Sequence, residues 1–226
     1  MIEHPFQLFT QFEDRLRIIV FQREDNFSDA LASKVFGVAN TAGLEQVHGN
    51  RTLITRESIP RTEEADGLAT DSKKLVLSVR WADCQNFVIY APEKNVIGTV
   101  HVGWKGLLAK ALAEHYHILK EEWNIEPEET YVGAGPSLCL QCAEFSDPAT
   151  ELPYVNSELI HDHYVDLRGI ADSQLDALGV PDAQRERMPS CTRCEPESYW
   201  TYRGGDKEAV LSGNTNALCA MLLDGV

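Results

Sequence analysis

Between residues 74 and 101 the chain reads "KLVLSVR", "NFVIYAP" and "NVIGTVH". Each run is short, apolar, rich in β-branched or aromatic residues, and bounded by turn residues. That pattern predicts three consecutive strands over 74–80, 86–92 and 95–101. "PEKN" (92–95) joins the last two as a hairpin-like turn. The period then changes. Leu108, Ala111, Leu112, Ile118 and Leu119 recur at helical spacing and predict a helix over 107–123. "TYVGAG" (130–135) reads as a short strand ending in a glycine turn. "DLRGIADSQLDALGV" (166–180) reads as a helix capped by Asp166 and ended by Gly179. "YWTYRGGD" (199–206) reads as a strand entering a turn, and "TNALCAMLL" (215–223) suits either a strand or a helix. Strand clusters set apart from a few helices favour an α+β fold over a regular βαβ alternation. Repeats, low-complexity tracts and linkers are absent, so one domain over 1–226 is expected.

The formal charge is −15, from 20 basic and 35 acidic residues. This argues against nucleic acid as a partner, because that needs a basic face. An anionic substrate would need a local cationic pocket within a repulsive field. No apolar stretch reaches the ~18 residues of a membrane span. The opening "MIEHPFQLFTQFEDRLRIIV" lacks the basic and apolar regions of a signal peptide. A cytoplasmic protein is the expectation.

Three segments could carry chemistry: "QVHGN" with His48, "WADCQ" with Cys84, and "HVGWKG" beginning at His101. Each puts a metal-capable side chain at the edge of an apolar run. Glycine follows at Gly49 and Gly103, where it would let the backbone turn sharply. Two imidazoles and a thiolate make a three-ligand set for zinc, with a fourth position left for water or substrate. The wide spacing equally suits a core histidine, a small buried cysteine and a turn histidine that never meet. The same atoms allow another chemistry, with Cys84 as nucleophile and His101 as its base. Asp83 neighbours Cys84, but adjacent strand residues point to opposite faces, so a scaffold role suits it better. Lys105, Arg80 and Arg203 are candidate anion binders, with surface exposure as the alternative for each.

The chain has six cysteines. Without a secretion signal, disulfides are not the expected use. "CLQC" (139–142) and "CTRC" (191–194) could together hold a structural zinc, but the gap between them is far longer than in a compact zinc ribbon. Metal-free loop cysteines are the default expectation.

Several segments in order carry a resemblance: "LEQVHGN", "EADGLATD", "WADCQNFVIYAP", "GTVHVGWKG", "GAGPSLCLQC", "VDLRGIADSQLDALGV" and "CTRCEPESYWTYR". Together, over about residues 44–203, they resemble the multicopper polyphenol oxidoreductase or laccase-domain family. Members of that family are mostly described as zinc-dependent purine nucleoside phosphorylases with adenosine deaminase side activity. The resemblance implies an α+β fold of layered mixed β-sheets flanked by helices, similar to the catalytic domain of cytotoxic necrotizing toxins. It implies His48, Cys84 and His101 as the metal triad, with zinc as cofactor and copper as the alternative. It also implies a nucleoside and inorganic phosphate as small-molecule substrates, the phosphate held by Lys105 and Arg203. Asp83 and Glu144 are candidates for moving protons. Where the family usually has arginine, Lys105 keeps the charge but loses the bidentate fork. The toxin-like Cys-His pair adds a thiol-hydrolase alternative on cell-wall precursors. A copper polyphenol oxidase is the third reading, although it requires several coupled coppers and many histidines.

Overall fold

In the computed structural model, residues 1–224 are described. The strands in chain order are β1 (Ile2–Glu3), β2 (Leu16–Phe21), β3 (Thr41–Gly43), β4 (Thr52–Ile54), β5 (Gly67–Thr70), β6 (Val76–Trp81) and β7 (Gln85–Ala91). They continue with β8 (Val96–Val102), β9 (Tyr131–Ala134), β10 (Ile160–His161), β11 (Tyr164–Val165), β12 (Arg185–Arg187) and β13 (Asn216–Leu222). One sheet has the order β1-β2-β13-β6-β3 and another β12-β9-β7-β8-β5-β4, with β10-β11 as a small ribbon. Both large sheets mix parallel and antiparallel pairs. The fold is α+β, as expected.

The period-2 alternation of the apolar strands explains the layering. In β7, Val88 and Tyr90 face the first sheet, where they meet Leu77, Val79 and Leu218. Phe87 and Ile89 face the other way and meet Leu112, Tyr116, Leu119 and Leu175 of two helices. Likewise β2 and β13 turn Ile19, Phe21, Cys219 and Met221 outward onto Ala32 and Phe36 of α1 (Asp29–Phe36). The order of layers is therefore helix, sheet, sheet, helices. Strands buried on both faces show near-continuous apolar runs, and fully burying one large side chain stabilises the fold by ~1.5–3 kcal/mol.

The 92–95 turn joins β7 and β8 as an antiparallel hairpin, with Ala91 paired to Val96. The ambiguous 215–223 run is β13, which pairs with both β2 and β6 inside the first sheet. Asp166 caps the helix Leu167–Leu178 by accepting from Gly169 N, and Gly179 ends it at φ 92°.

Two expectations are corrected. The helix expected over 107–123 is split into α2 (Trp104–Leu108) and α3 (Ala111–Trp123). Lys110 lies between them in the left-handed region, at φ 57°. The break lets α2 lie across the end of β8 while α3 packs its Ala111, Leu112, His115, Tyr116, Leu119 stripe on the sheet. The strand expected over 199–206 is instead a wide helical turn, Tyr202–Asp206. Side chains satisfy the local backbone there, competing with any ladder. Thr201 Oγ1 accepts from Gly204 N at 3.0 Å, and Asp206 Oδ2 accepts from Thr201 N at 3.1 Å.

Candidate metal centre

Cys84 is placed by a change of sheet. β6 ends at Trp81 in one sheet and β7 begins at Gln85 in the other, so residues 82–84 bridge the layers. Asp83 takes a left-handed conformation, φ 86°, to make that step. Its buried carboxylate accepts from Thr192 Oγ1 and from Arg203 N, both at 2.7 Å. Both oxygens are thus engaged by the scaffold, and Asp83 acts on Cys84 through the backbone.

His101 lies in β8 opposite Asn86, on the face between the sheets. Its Nδ1 bonds Asp66 Oδ1 at 2.8 Å, and its backbone N donates to Asp66 O at the same distance. The same carboxylate accepts from His48 N at 3.0 Å and Gly49 N at 2.7 Å. Asp66 is 2% exposed, so one buried acid fixes both histidines. It lies within the "EADGLATD" segment, but residue-level reading passed over it. An acid at a strand start has no periodic signal that marks it as a partner of residues 18 and 35 positions away.

The donor atoms of His48, Cys84 and His101 all lie within 4.8 Å of one another. The two imidazole rings stand nearly perpendicular, their centroids 4.8 Å apart. Gly103 sits against all three. A Cβ there would lie 3.0 Å from Cys84 Sγ, 3.0 Å from His48 Cδ2 and 3.9 Å from His101 Cε1. Its φ of −72° is ordinary, so glycine is required at 103 for room rather than for torsion. The sharp backbone turn expected at Gly49 belongs to His48 itself, at φ 61°.

Electrostatics set the protonation states. Burial pushes the Cys84 thiol up, but the His101 charge and hydrogen bonds from both histidines outweigh it and bring the thiol to about 6. Burial likewise pulls His101 down, while the Cys84 charge and the Asp66 bond raise it to about 9. Both shifts favour the thiolate and imidazolium forms of the metal-free pair. Burial pushes the Asp66 carboxyl up; its bonds and charge contact with His101 and the two backbone N–H groups hold it below the usual carboxylate range.

The triad opens into a cavity of about 640 Å³ that is also lined by Glu45, Trp81, Trp104 and Tyr202. That volume suits a small organic ligand. Arg80 and Arg203 line it too. Among the described residues neither guanidinium has a carboxylate partner. Arg203 stacks over Phe145 at 4.8 Å and Arg80 Nε is buried without a partner. Lys105 does not line this cavity. It is exposed, with Nζ 5.5 Å from the Trp104 ring centroid. Glu144 is exposed as well and lies outside the lining; its backbone oxygen accepts from Arg203.

The cysteine expectation also needs correcting. The sulfurs of Cys139, Cys142, Cys191 and Cys194 lie within 4.8 Å of one another. The two pairs are not separate loop cysteines, because parallel pairing of β9 with β12 brings their loops out together.

Fold and site together define an α+β domain with a metal-competent His-Cys-His centre at the edge of a cavity. The chain belongs to the family described as multi-copper polyphenol oxidoreductase laccase, which its sequence matches over residues 22–221. It is 27% identical over 179 residues to purine nucleoside phosphorylase YlmD of Geobacillus stearothermophilus, covering 70% of this chain and 65% of that one. It is also 27% identical over 166 residues to adenosine deaminase RL5 of an unknown prokaryotic organism, covering 68% and 62%. The chain thus spans less than two thirds of either relative. The crystal structure of Neisseria meningitidis protein NMB0706 superimposes with a TM-score of 0.76 at 19% identity, over 92% of this chain and 94% of that one. Among the described residues no helix is long and apolar enough to cross a membrane.

Proposed function

We propose that the chain is a zinc-dependent purine nucleoside phosphorylase with adenosine deaminase activity. The observation that carries this reading is the convergence of His48, Cys84 and His101 within 4.8 Å at a cavity also lined by Arg80 and Arg203. The donor set fits zinc. A metal-binding histidine usually gives its other ring nitrogen to a carboxylate, and His101 does so with Asp66. With Nδ1 so engaged, Nε2 is the nitrogen left to bind. Zinc held by these three residues would supply Lewis acidity beside the substrate.

The protein's own groups do the rest. Arg80 and Arg203 would bind inorganic phosphate and offset the net charge of −15. A phosphate oxygen then forms a bond to the ribose anomeric carbon while the bond to the purine nitrogen breaks, its electron pair leaving with the base. Trp104 and Tyr202, which line the cavity and keep part of their rings exposed, would offer faces to the purine. Asp83 and Glu144, expected to move protons, are respectively engaged by the scaffold and turned outside. Glu45, which lines the cavity, takes that role in this reading.

The thiolate–imidazolium pair favours a second reading, a thiol hydrolase with Cys84 as nucleophile. Product analysis on adenosine and inosine, with and without phosphate, separates the two when combined with metal content. Phosphate-dependent release of free base, lost on removing zinc, supports the phosphorylase. Turnover of neither nucleoside by zinc-loaded protein refutes it. Oxygen-consuming turnover of a phenol by copper-loaded protein would instead support the copper reading that the family's name carries.

A further inference from the structure

A second group of metal-capable side chains brings four cysteines together. Cys139 precedes and Cys142 ends the short turn Leu140–Cys142, while Cys191 and Cys194 follow β12. β9 and β12 run parallel in register, Val132 with Arg185 and Ala134 with Arg187. Both loops therefore leave the same end of neighbouring strands, and residues 52 apart in sequence meet. Cys142 Sγ lies 3.5 Å from Cys194 Sγ, and Cys139 Sγ lies 3.9 Å from it. Four thiolates around one zinc at ~2.3 Å would be separated by ~3.8 Å along each tetrahedral edge. The observed separations straddle that value, and all four thiols are free.

The surroundings suit a closed thiolate centre. Cys139 N donates to Cys191 Sγ at 3.3 Å. Arg168 ties the two loops together just before each cysteine pair. It donates to Ser137 O and Ser190 O at 2.6 Å, to Leu138 O at 3.0 Å and to Pro189 O at 3.1 Å. Four sulfur donors with no open position mark a structural zinc, not a catalytic one.

We propose that Cys139, Cys142, Cys191 and Cys194 hold a structural zinc ion, distinct from the centre at His48, Cys84 and His101. Each zinc–sulfur bond forms as a thiol proton leaves to solvent, so binding consumes no oxidant or reductant. The ion staples the loops that support the turn carrying Cys84. Thr192, between two of the cysteines, donates to Asp83 Oδ1 at 2.7 Å. Leu138 N, beside the first cysteine, donates to Asp83 O at 3.1 Å. Asp83 is the residue before Cys84, which makes it a positioning residue that reports the state of the staple.

The test is zinc content of the full chain purified under reducing conditions, followed by cobalt substitution. Cys142→Ser with Cys194→Ser should hold one zinc per chain fewer than wild type and unfold at lower temperature. Cys84→Ala should lose the other zinc and keep this one. Cobalt-loaded Cys84→Ala should still show the intense sulfur-to-cobalt absorption of a tetrahedral thiolate centre. A double variant with unchanged zinc overturns the proposal, as does cobalt-loaded Cys84→Ala without that absorption. Should the double variant not fold, the cobalt spectrum of Cys84→Ala and thiol counting on wild type decide the matter. Four of the six cysteines should resist a thiol reagent until a chelator is added, beyond any protection of Cys84. Four that react freely refute the site. Zinc retained in Cys84→Ala at the wild-type level would count against the catalytic triad alone.

Discussion

Gly103→Ala tests whether the triad is organised around this glycine. The backbone at 103 has φ −72° and ψ 174°, which alanine adopts freely, so the substitution carries no torsional penalty. Its cost is steric. The new Cβ would lie 3.0 Å from both Cys84 Sγ and His48 Cδ2, whereas comfortable contact is ~3.5–4.0 Å. Each ligand must therefore retreat by ~0.5–1 Å. Metal–ligand distances tolerate only about ±0.2 Å. Disturbing ligand orientation typically lowers metal affinity by ~10–100-fold, and that is the expected loss. Overpacking at a cavity wall that can yield should cost about 1 kcal/mol, or ~2–4 °C in unfolding midpoint for a chain of this size. The assay is zinc competition against a chromophoric chelator, run beside thermal unfolding of the metal-free protein. A variant that binds zinc within twofold of wild type, with unchanged turnover, would refute the argument that Gly103 makes room for the ligands.

Asp66→Asn removes the charge that holds His101 and puts an amide where up to three N–H groups now point. It should lower zinc affinity by ~10–100-fold and stability by ~1–3 kcal/mol, read by chelator competition and denaturant unfolding; wild-type values in both would remove Asp66 from the site. Arg80→Ala should raise the Michaelis constant for phosphate severalfold, whereas Lys105→Ala, on a residue outside the cavity lining, should leave it within about twofold. The reverse ranking in steady-state kinetics would restore Lys105 as the anion binder. His115 is fully buried, and burial lowers its pKa from 6.5 to about 3. The unfolded chain therefore takes up a proton between those values while the folded chain does not. The stability this confers is complete above pH 6.5 and lost as pH falls towards 3, at ~1.4 kcal/mol per pH unit. His115→Gln should flatten that acid limb in urea titrations at pH 6.5, 5.5 and 4.5, and an unchanged slope would contradict it.

The sequence by itself determined what its local periodicities encode. The strands β6, β7 and β8, the hairpin at 92–95 and the helix between Asp166 and Gly179 follow from alternation, turn residues and caps. These signals act between neighbours in the chain, so they can be read without tertiary contacts. His48, Cys84 and His101 were legible as metal-capable residues at the ends of apolar runs, and the family resemblance joined them. Only the tertiary structure decided the rest. It placed Cys84 on a step between two sheets, brought Asp66 under both histidines, and put Arg80 rather than Lys105 on the cavity wall. It split the 107–123 helix at Lys110, where a left-handed residue gives no periodic signal. It also joined "CLQC" to "CTRC" through the parallel register of β9 and β12. The physical reason is common to all of these. Sheet order, strand pairing and the burial of a lone polar group are fixed by packing between segments far apart in sequence, and no local pattern carries that information.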